Sequence, residues 1–251
     1  MEIDDQIAAC AGLVARGDPA RFRAVMAAPV ALRRMLFPLY AFNLEVARAP
    51  WVTKEPMIAE MRLQWWRDAL DEIASGGRVR RHEVVTPLAA VLDAQGARDL
   101  DDLVAARRAD IEGTAPADDD TLLRYIDRTS GTLLWTAARL AGATDAPAIR
   151  DAGLAQGLAS YLKAVPDLVE KARNPLPPGE PHAVLERLAR AGLAALDRLG
   201  QARIEPPARP VLLLLSDTRA ELRAIAAHPG QSPALNPAMS RLRLAWASLR
   251  A

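Results

Sequence analysis

The chain has 251 residues, 51% of them hydrophobic and 25% charged, enough to bury one sizeable core. Lys and Arg number 32 against 31 Asp and Glu, a formal net charge of +1 that gives no electrostatic reason to expect a nucleic-acid partner. The single cysteine, Cys10, excludes an internal disulfide and a thiolate metal cage. The densest apolar run, Val211–Leu215, is far too short to span a membrane, and the acidic start MEIDDQIAAC lacks the basic and apolar regions of a signal peptide. A cytoplasmic protein is expected.

In chain order, helical periodicity predicts helices at about 3–16, 29–49, 56–74, 85–95, 98–112, 119–141, 147–165, 181–200, 208–228 and 235–250. No alternating β-branched run is long enough to predict a strand. Pro29, Pro56 and Pro147 stand where a first-turn proline is tolerated, Asp120 or Asp119 can cap the helix that follows, and Asp118-Asp119-Asp120 as a run suits cap and dipole chemistry. Gly76-Gly77, Pro206-Pro207 and Pro229-Gly230 are breaks. The longest break, ARNPLPPGEP (172–181), reads as a loop inside one domain covering 1–251, because the residues after it would make only a small core. The expected class is all-α.

The helix predicted at 57–74, MIAEMRLQWWRDALDEIA, shows how the pattern is read. Ile58, Met61, Trp65, Ala69 and Ile73 share one stripe, with Glu60, Gln64, Arg67 and Asp71 opposite. Arg67 and Asp71 have the spacing of an i,i+4 ion pair. Arg62 and Trp66 sit at the stripe's edge, where an arginine either snorkels to water or faces a polar cavity. The carboxylates of DALDE (68–72) imitate an aspartate-rich motif, but Asp71 lies opposite the apolar stripe and reads as solvated face. Trp65, Trp66 and Trp135 read as core aromatics rather than carbocation stabilisers. The basic loop RVRRH (78–82) could touch anionic lipid headgroups or an acidic partner.

Five segments, in order, resemble the squalene/phytoene synthases: ALRRMLFPLYAFN (31–43), MRLQWWRDAL (61–70), LLRYIDRTSGTLLWTAARLAG (122–142), AQGLASYLKAVPDLVEKARNPLPP (155–178) and a helical tail. The resemblance implies a single all-α bundle of the isoprenoid synthase type around a central cavity. In that family two aspartate-rich motifs face each other and hold Mg²⁺, which assists departure of a prenyl substrate's diphosphate. Such chemistry needs hard oxygen ligands, with carboxylates four residues apart on one helix face.

This chain departs from the family at those positions. The acidic positions of AFCRxxDDxxD fall on Ala47, Arg48 and Trp51. In GxAxQLxNxLRDxxxD the aspartates fall on Leu168 and Ala172, the glutamine on Tyr161, the asparagine on Ala164 and the arginine on Asp167. Pro166 is expected to interrupt the helix there. The tyrosine of the later YLP stretch falls on Pro175. Both DxxxD pairs, at Ala47/Trp51 and Leu168/Ala172, have therefore lost their carboxylates. No metal ligand and no catalytic residue is assigned, and Mg²⁺ would enter only if the chain were an active synthase.

AFN-x-E (41–45) and YLKAVP (161–166) resemble more narrowly the branch containing the mitochondrial complex I assembly factor with a phytoene-synthase fold and its bacterial relatives. That resemblance implies a binding or assembly role in respiratory complex I biogenesis, with a complex I subunit or assembly partner, an isoprenoid lipid or a membrane surface as contacts. Alternatives are an active head-to-head prenyltransferase and a non-catalytic isoprenoid carrier. Candidate remnants of the cavity or diphosphate site are Arg33, Tyr40, Asn43, Glu45, Arg62, Trp66, Tyr125, Tyr161 and Lys163. Arg33 matches a family arginine near the diphosphate. Asn43 and Glu45 are two apart, so at most one points inward. Tyr125 and Gly131 match a Y…G segment where two helices approach closely.

Overall fold

Capping chemistry written into the sequence starts six of the α-helices. In a computed structural model, which describes residues 3–53 and 55–251, the chain begins with α1 (Ile3–Gly17), α2 (Pro19–Ala27) and α3 (Val30–Arg48). A 3-10 turn, Ala49–Trp51, leads to α4 (Pro56–Ala74), α5 (Val85–Ala89), α6 (Ala94–Ala106) and α7 (Arg108–Glu112). Then come α8 (Asp119–Ile126), a π-helical turn (Asp127–Gly131), α9 (Thr132–Leu140) and α10 (Ala146–Glu170). The chain closes with α11 (Pro181–Leu199), a 3-10 helix (Pro206–Leu215), α12 (Thr218–Ala227) and α13 (Pro237–Ser248). No strand occurs among the described residues. Asp18, Asp93, Asp118, Asp145, Glu180 and Asn236 each accept a backbone N–H at a helix start. Each such cap contributes about 1 kcal/mol.

Several elements differ from the sequence expectation. Helix α2 was not predicted, although Asp18 and Pro19 form a capping residue and first-turn proline ahead of it. The helix expected at 208–228 is divided: Pro206, Pro207 and Pro210 favour a 3-10 segment before α12 begins at Thr218. Pro166 does not interrupt α10, which runs one more turn to Glu170. The apolar stripe of α4 is also corrected. Ile58 and Met61 are exposed, and the buried line is Ala59, Leu63, Trp66, Leu70 and Ile73. Both stripes satisfy the helical period, and contact with α3 and α6 selects the second: Trp66 meets Phe42 edge-on at 5.3 Å. Arg67 likewise ignores Asp71 and binds Asp101 of α6 bidentately at 2.7 and 2.8 Å.

One core is built from α1, α3, α4, α6 and α9, with Leu36, Leu39, Phe42, Leu63, Leu100 and Leu133 inside. A second, including Ile126, Leu158, Leu188 and Leu222, lies between α8, α10, α11 and α12. Helix α10 belongs to both, giving Ile149 and Ala152 to the first and Ala155, Leu158 and Leu162 to the second. The 172–181 segment is thus a loop between α10 and α11, which pack together.

Helix α10 crosses the π-helical turn almost in backbone contact. A Cβ on Gly153 would lie 2.6 Å from the Gly131 Cα and 2.8 Å from the Ser130 carbonyl oxygen. Arg150 clamps the crossing through bidentate bonds to Asp127, at 3.0 and 2.7 Å. The close approach expected at Gly131 is therefore a packing device. Gly153→Ala should destabilise the protein by at least about 2 kcal/mol, since the obstructing atoms are backbone. A urea denaturation midpoint within a few tenths molar of wild type would contradict this.

Candidate functional site

The positions where the family's carboxylates fall lie around the ends of two helices, α3 and α10. Ala47 is on the last turn of α3 and Trp51 closes the following 3-10 turn, 41% exposed. Leu168 is on the last turn of α10, whereas Ala172 lies beyond its end. Ala172 holds φ = 57°, in the left-handed region. The Ala172 N–H donates to the Val169 carbonyl at 2.9 Å and the Arg173 N–H to Leu168 at 3.0 Å. These paired bonds form a Schellman cap, where glycine is the usual left-handed residue. Ala172 consequently shares no helix face with Leu168.

The cap brings two cations to Trp51. Lys171 Nζ is 5.8 Å and Arg173 Cζ 5.2 Å from its ring centroid. Gly113, left-handed at φ = 65° and capping α7, leaves the room that the Arg173 guanidinium occupies. Among the described residues no ion pair engages either cation. A groove of about 440 Å³ opens beside them, lined also by Thr53, Glu55 and Ile111. This donor set does not fit a divalent cation. Mg²⁺ needs several hard oxygen ligands, and here an indole and two positive charges stand in their place. Nor are three or more His, Cys, Asp or Glu side chains gathered as a metal site anywhere among the described residues.

Two altered family positions touch each other. The Tyr161 hydroxyl donates to the Pro175 carbonyl at 2.7 Å, tying the loop after Arg173 back onto α10. Tyr125 stands 6.4 Å from Tyr161, ring to ring. Its hydroxyl donates to Asp110 at 2.7 Å and accepts from Arg107 at 2.8 Å, joining α8 to α6 and α7. Burial pushes both phenols well above the usual tyrosine range. They are neutral hydrogen-bonding groups.

The remaining candidates are dispersed. Tyr40 is buried under the Arg21 guanidinium, 5.5 Å from its ring centroid, and desolvation raises its pKa to about 12. Arg21 continues to Gln156 of α10 at 3.0 Å. Asn43 is turned inward and Glu45 is half-buried, as their spacing requires. Arg33 donates to the Ala28 and Met26 carbonyls at the start of α3, roughly 22 Å of helix before Arg48. Arg62 is exposed, and Lys163 pairs with Glu221 at 2.5 Å. Trp66 packs among Phe42, Trp65 and His82. Phe42, Leu63 and Trp66 thus occupy the space between α3 and α4, while the roomier clefts open at the surface. In the basic loop Arg80 turns back onto Glu72 and Trp65. Sequence reasoning missed Lys171, Arg173 and Gly113, whose signal was a glycine and two cations beside lost motif positions.

Residues 14–180 match the squalene/phytoene synthase family. The chain belongs to that family. The fold agrees: a crystal structure of a dehydrosqualene synthase in complex with ligand superposes with TM-score 0.83 at 14% identity, covering 99% of this chain and 97% of that one. Among curated proteins, the NADH dehydrogenase (ubiquinone) complex I, assembly factor 6 homolog of Drosophila melanogaster is 30% identical over 166 residues. That alignment covers 62% of this chain and 50% of the relative. The Bos taurus and Homo sapiens assembly factors 6 are each 26% identical over 172 residues, covering 62% of this chain and 48% of theirs. The chain spans about half the length of the curated relatives it matches.

Replacing Ala172 with glycine should preserve the cap and remove the cost of a Cβ in the left-handed region. Ala172→Gly is expected to stabilise the fold by up to about 1 kcal/mol, whereas an unsuitable Gly would destabilise it. Thermal melting of the two proteins decides: a lower Tm for the glycine variant contradicts the capped geometry.

Proposed function

We propose that this chain is a non-catalytic member of its family that acts in the assembly of respiratory complex I. The observation that carries the reading is the exchange at the lost motif positions, where Trp51 packs under Lys171 and Arg173 and Ala172 has left the helix. Ionising a prenyl diphosphate requires metal-held negative charge on the leaving group, and each 1.36 kcal/mol of lost stabilisation slows the step tenfold. Two cations attract a phosphate but repel the metals that would activate it. The names of the relatives supply the biological side of the reading. The synthase alternative rests on the shared fold, and fold does not fix function.

Two measurements test the two halves separately. Incubated with farnesyl or geranylgeranyl diphosphate, Mg²⁺ and NADPH, the pure protein is expected to release no pyrophosphate above background. Turnover near about 1 s⁻¹ or faster would restore the synthase reading. In cells, deleting the gene is expected to lower assembled NADH:quinone oxidoreductase activity, with recovery on re-expression. Normal activity in the deletion strain would remove the assembly role and leave the first result standing.

A further inference from the structure

The last helix presents an apolar face to nothing in the protein. Helix α13 has no buried residue and leaves Met239 49%, Leu242 61% and Trp246 59% exposed, with Leu249 just past its end at 81%. It rests on the body through Leu244 and Ala247, which pack on Ala24, Ala28 and Leu213, and through an Arg243–Asp217 ion pair at 2.6 Å. At about 100° per residue the four exposed side chains fall in one sector of about 80°, directed away from those body contacts. Arg241 is exposed about 80° beyond the Leu249 edge of the sector. Arg250 and Arg243 flank the other, and the Arg250 guanidinium lies 4.2 Å from the Trp246 ring centroid. Residues 232–251 contain no Asp or Glu.

We propose that α13 docks this protein in the plane of an anionic lipid bilayer, with Met239, Leu242, Trp246 and Leu249 inserted at the interface and Arg241 and Arg250 on the headgroups. Helices that lie in a membrane surface combine an apolar stripe, interfacial aromatics and flanking cations in this way. At 12 residues α13 is about 18 Å long, too short to cross the hydrocarbon layer, and no described helix is long and apolar enough to do so. Charge distinguishes the bilayer from a second copy. Two α13 helices meeting stripe to stripe would bring the Arg250 of each copy to the contact, and α13 carries no carboxylate to oppose it. The RVRRH loop, the other basic candidate, offers no comparable apolar face, and its Arg80 is already held by Glu72. The inference stands whether or not the assembly role holds.

Co-sedimentation of the full chain with vesicles tests it. Vesicles of phosphatidylcholine with about 30% phosphatidylglycerol should bind the protein at least tenfold more tightly than pure phosphatidylcholine, and about 0.5 M salt should abolish most of the difference. The double variant Trp246→Ser/Leu249→Ser should lose at least about tenfold in binding. Arg241→Ala and Arg250→Ala should each lose on the order of fivefold. All four side chains are exposed, so unchanged circular dichroism and melting are expected alongside. Absence of binding to the anionic vesicles, or equal binding by the double variant, overturns the proposal. So does a dimer in analytical ultracentrifugation that Trp246→Ser dissolves without vesicle binding by wild type, which would assign the stripe to a second copy.

Discussion

The rest of the structure depends on how closely α10 crosses the π-helical turn between α8 and α9. Gly153 against Gly131 lets two backbones meet where any side chain would hold them apart, and one turn later Gly157 leaves room for the Ile126 and Ser130 side chains. A π-helical turn carries one extra residue, so it shifts the register of the α8–α9 line at the crossing. Arg150 on Asp127 then fixes the depth of contact. With α10 seated there, its middle bridges the two cores, Gln156 reaches Arg21 above Tyr40, and Tyr161 reaches Pro175. The loop carrying Lys171 and Arg173 is placed by that same seat.

At the far end of α10 the electrostatics are the inverse of a metal-dependent diphosphate site. A metal-dependent diphosphate site gathers carboxylates to hold cations, which then meet a phosphate anion. Here the cations are covalent parts of the chain and lie on an indole face. An exposed cation–π contact is worth about 0.5–1 kcal/mol, enough to bias where the two side chains rest. Neither the aromatic nor the cations can bind a divalent ion, and the Tyr161–Pro175 bond closes the loop over the altered motif.

The legible parts of the sequence were those governed by local chemistry. The acidic run before α8 and the first-turn prolines Pro56 and Pro147 were readable, whereas Pro29 caps α3 from outside and Asp93 starts a helix inside a stretch read as continuous; the close approach at Gly131 came from the family resemblance. Even α2 announced itself through Asp18-Pro19, but its short apolar set was too weak to register as a period. What local chemistry leaves degenerate was misread. On α4 two stripes obey the same 3.6-residue repeat, and only the bulk of Phe42 and the surface of α6 choose Trp66 and Leu70 over Ile58 and Met61. Arg67 had an acid four residues on, yet a bidentate partner across the interface is the stronger contact. Pro166 marked a missing donor correctly but not its consequence, since α10 is packed on both sides and continues through the defect. Among the site residues, alignment located the lost carboxylates but could not show what replaced them, because Trp51, Lys171, Arg173 and Gly113 meet from three separate segments.

The left-handed Ala172 makes this loss architectural as well as compositional. Two carboxylates cooperate on a metal only if they project from one helix face, one turn apart. In this fold Leu168 is still helical, while position 172 is already in the cap, rotated out of line by its positive φ. An aspartate restored at 172 would therefore not recreate the pair, and one at 51 would face Lys171 and Arg173 as an ion pair before it faced a metal. Reversal would require extending α10 by a turn, which the bonds of Ala172 and Arg173 to Val169 and Leu168 oppose. A substitution at one position leaves the helix unchanged; here the end of α10 before residue 172 is held by its own backbone bonds.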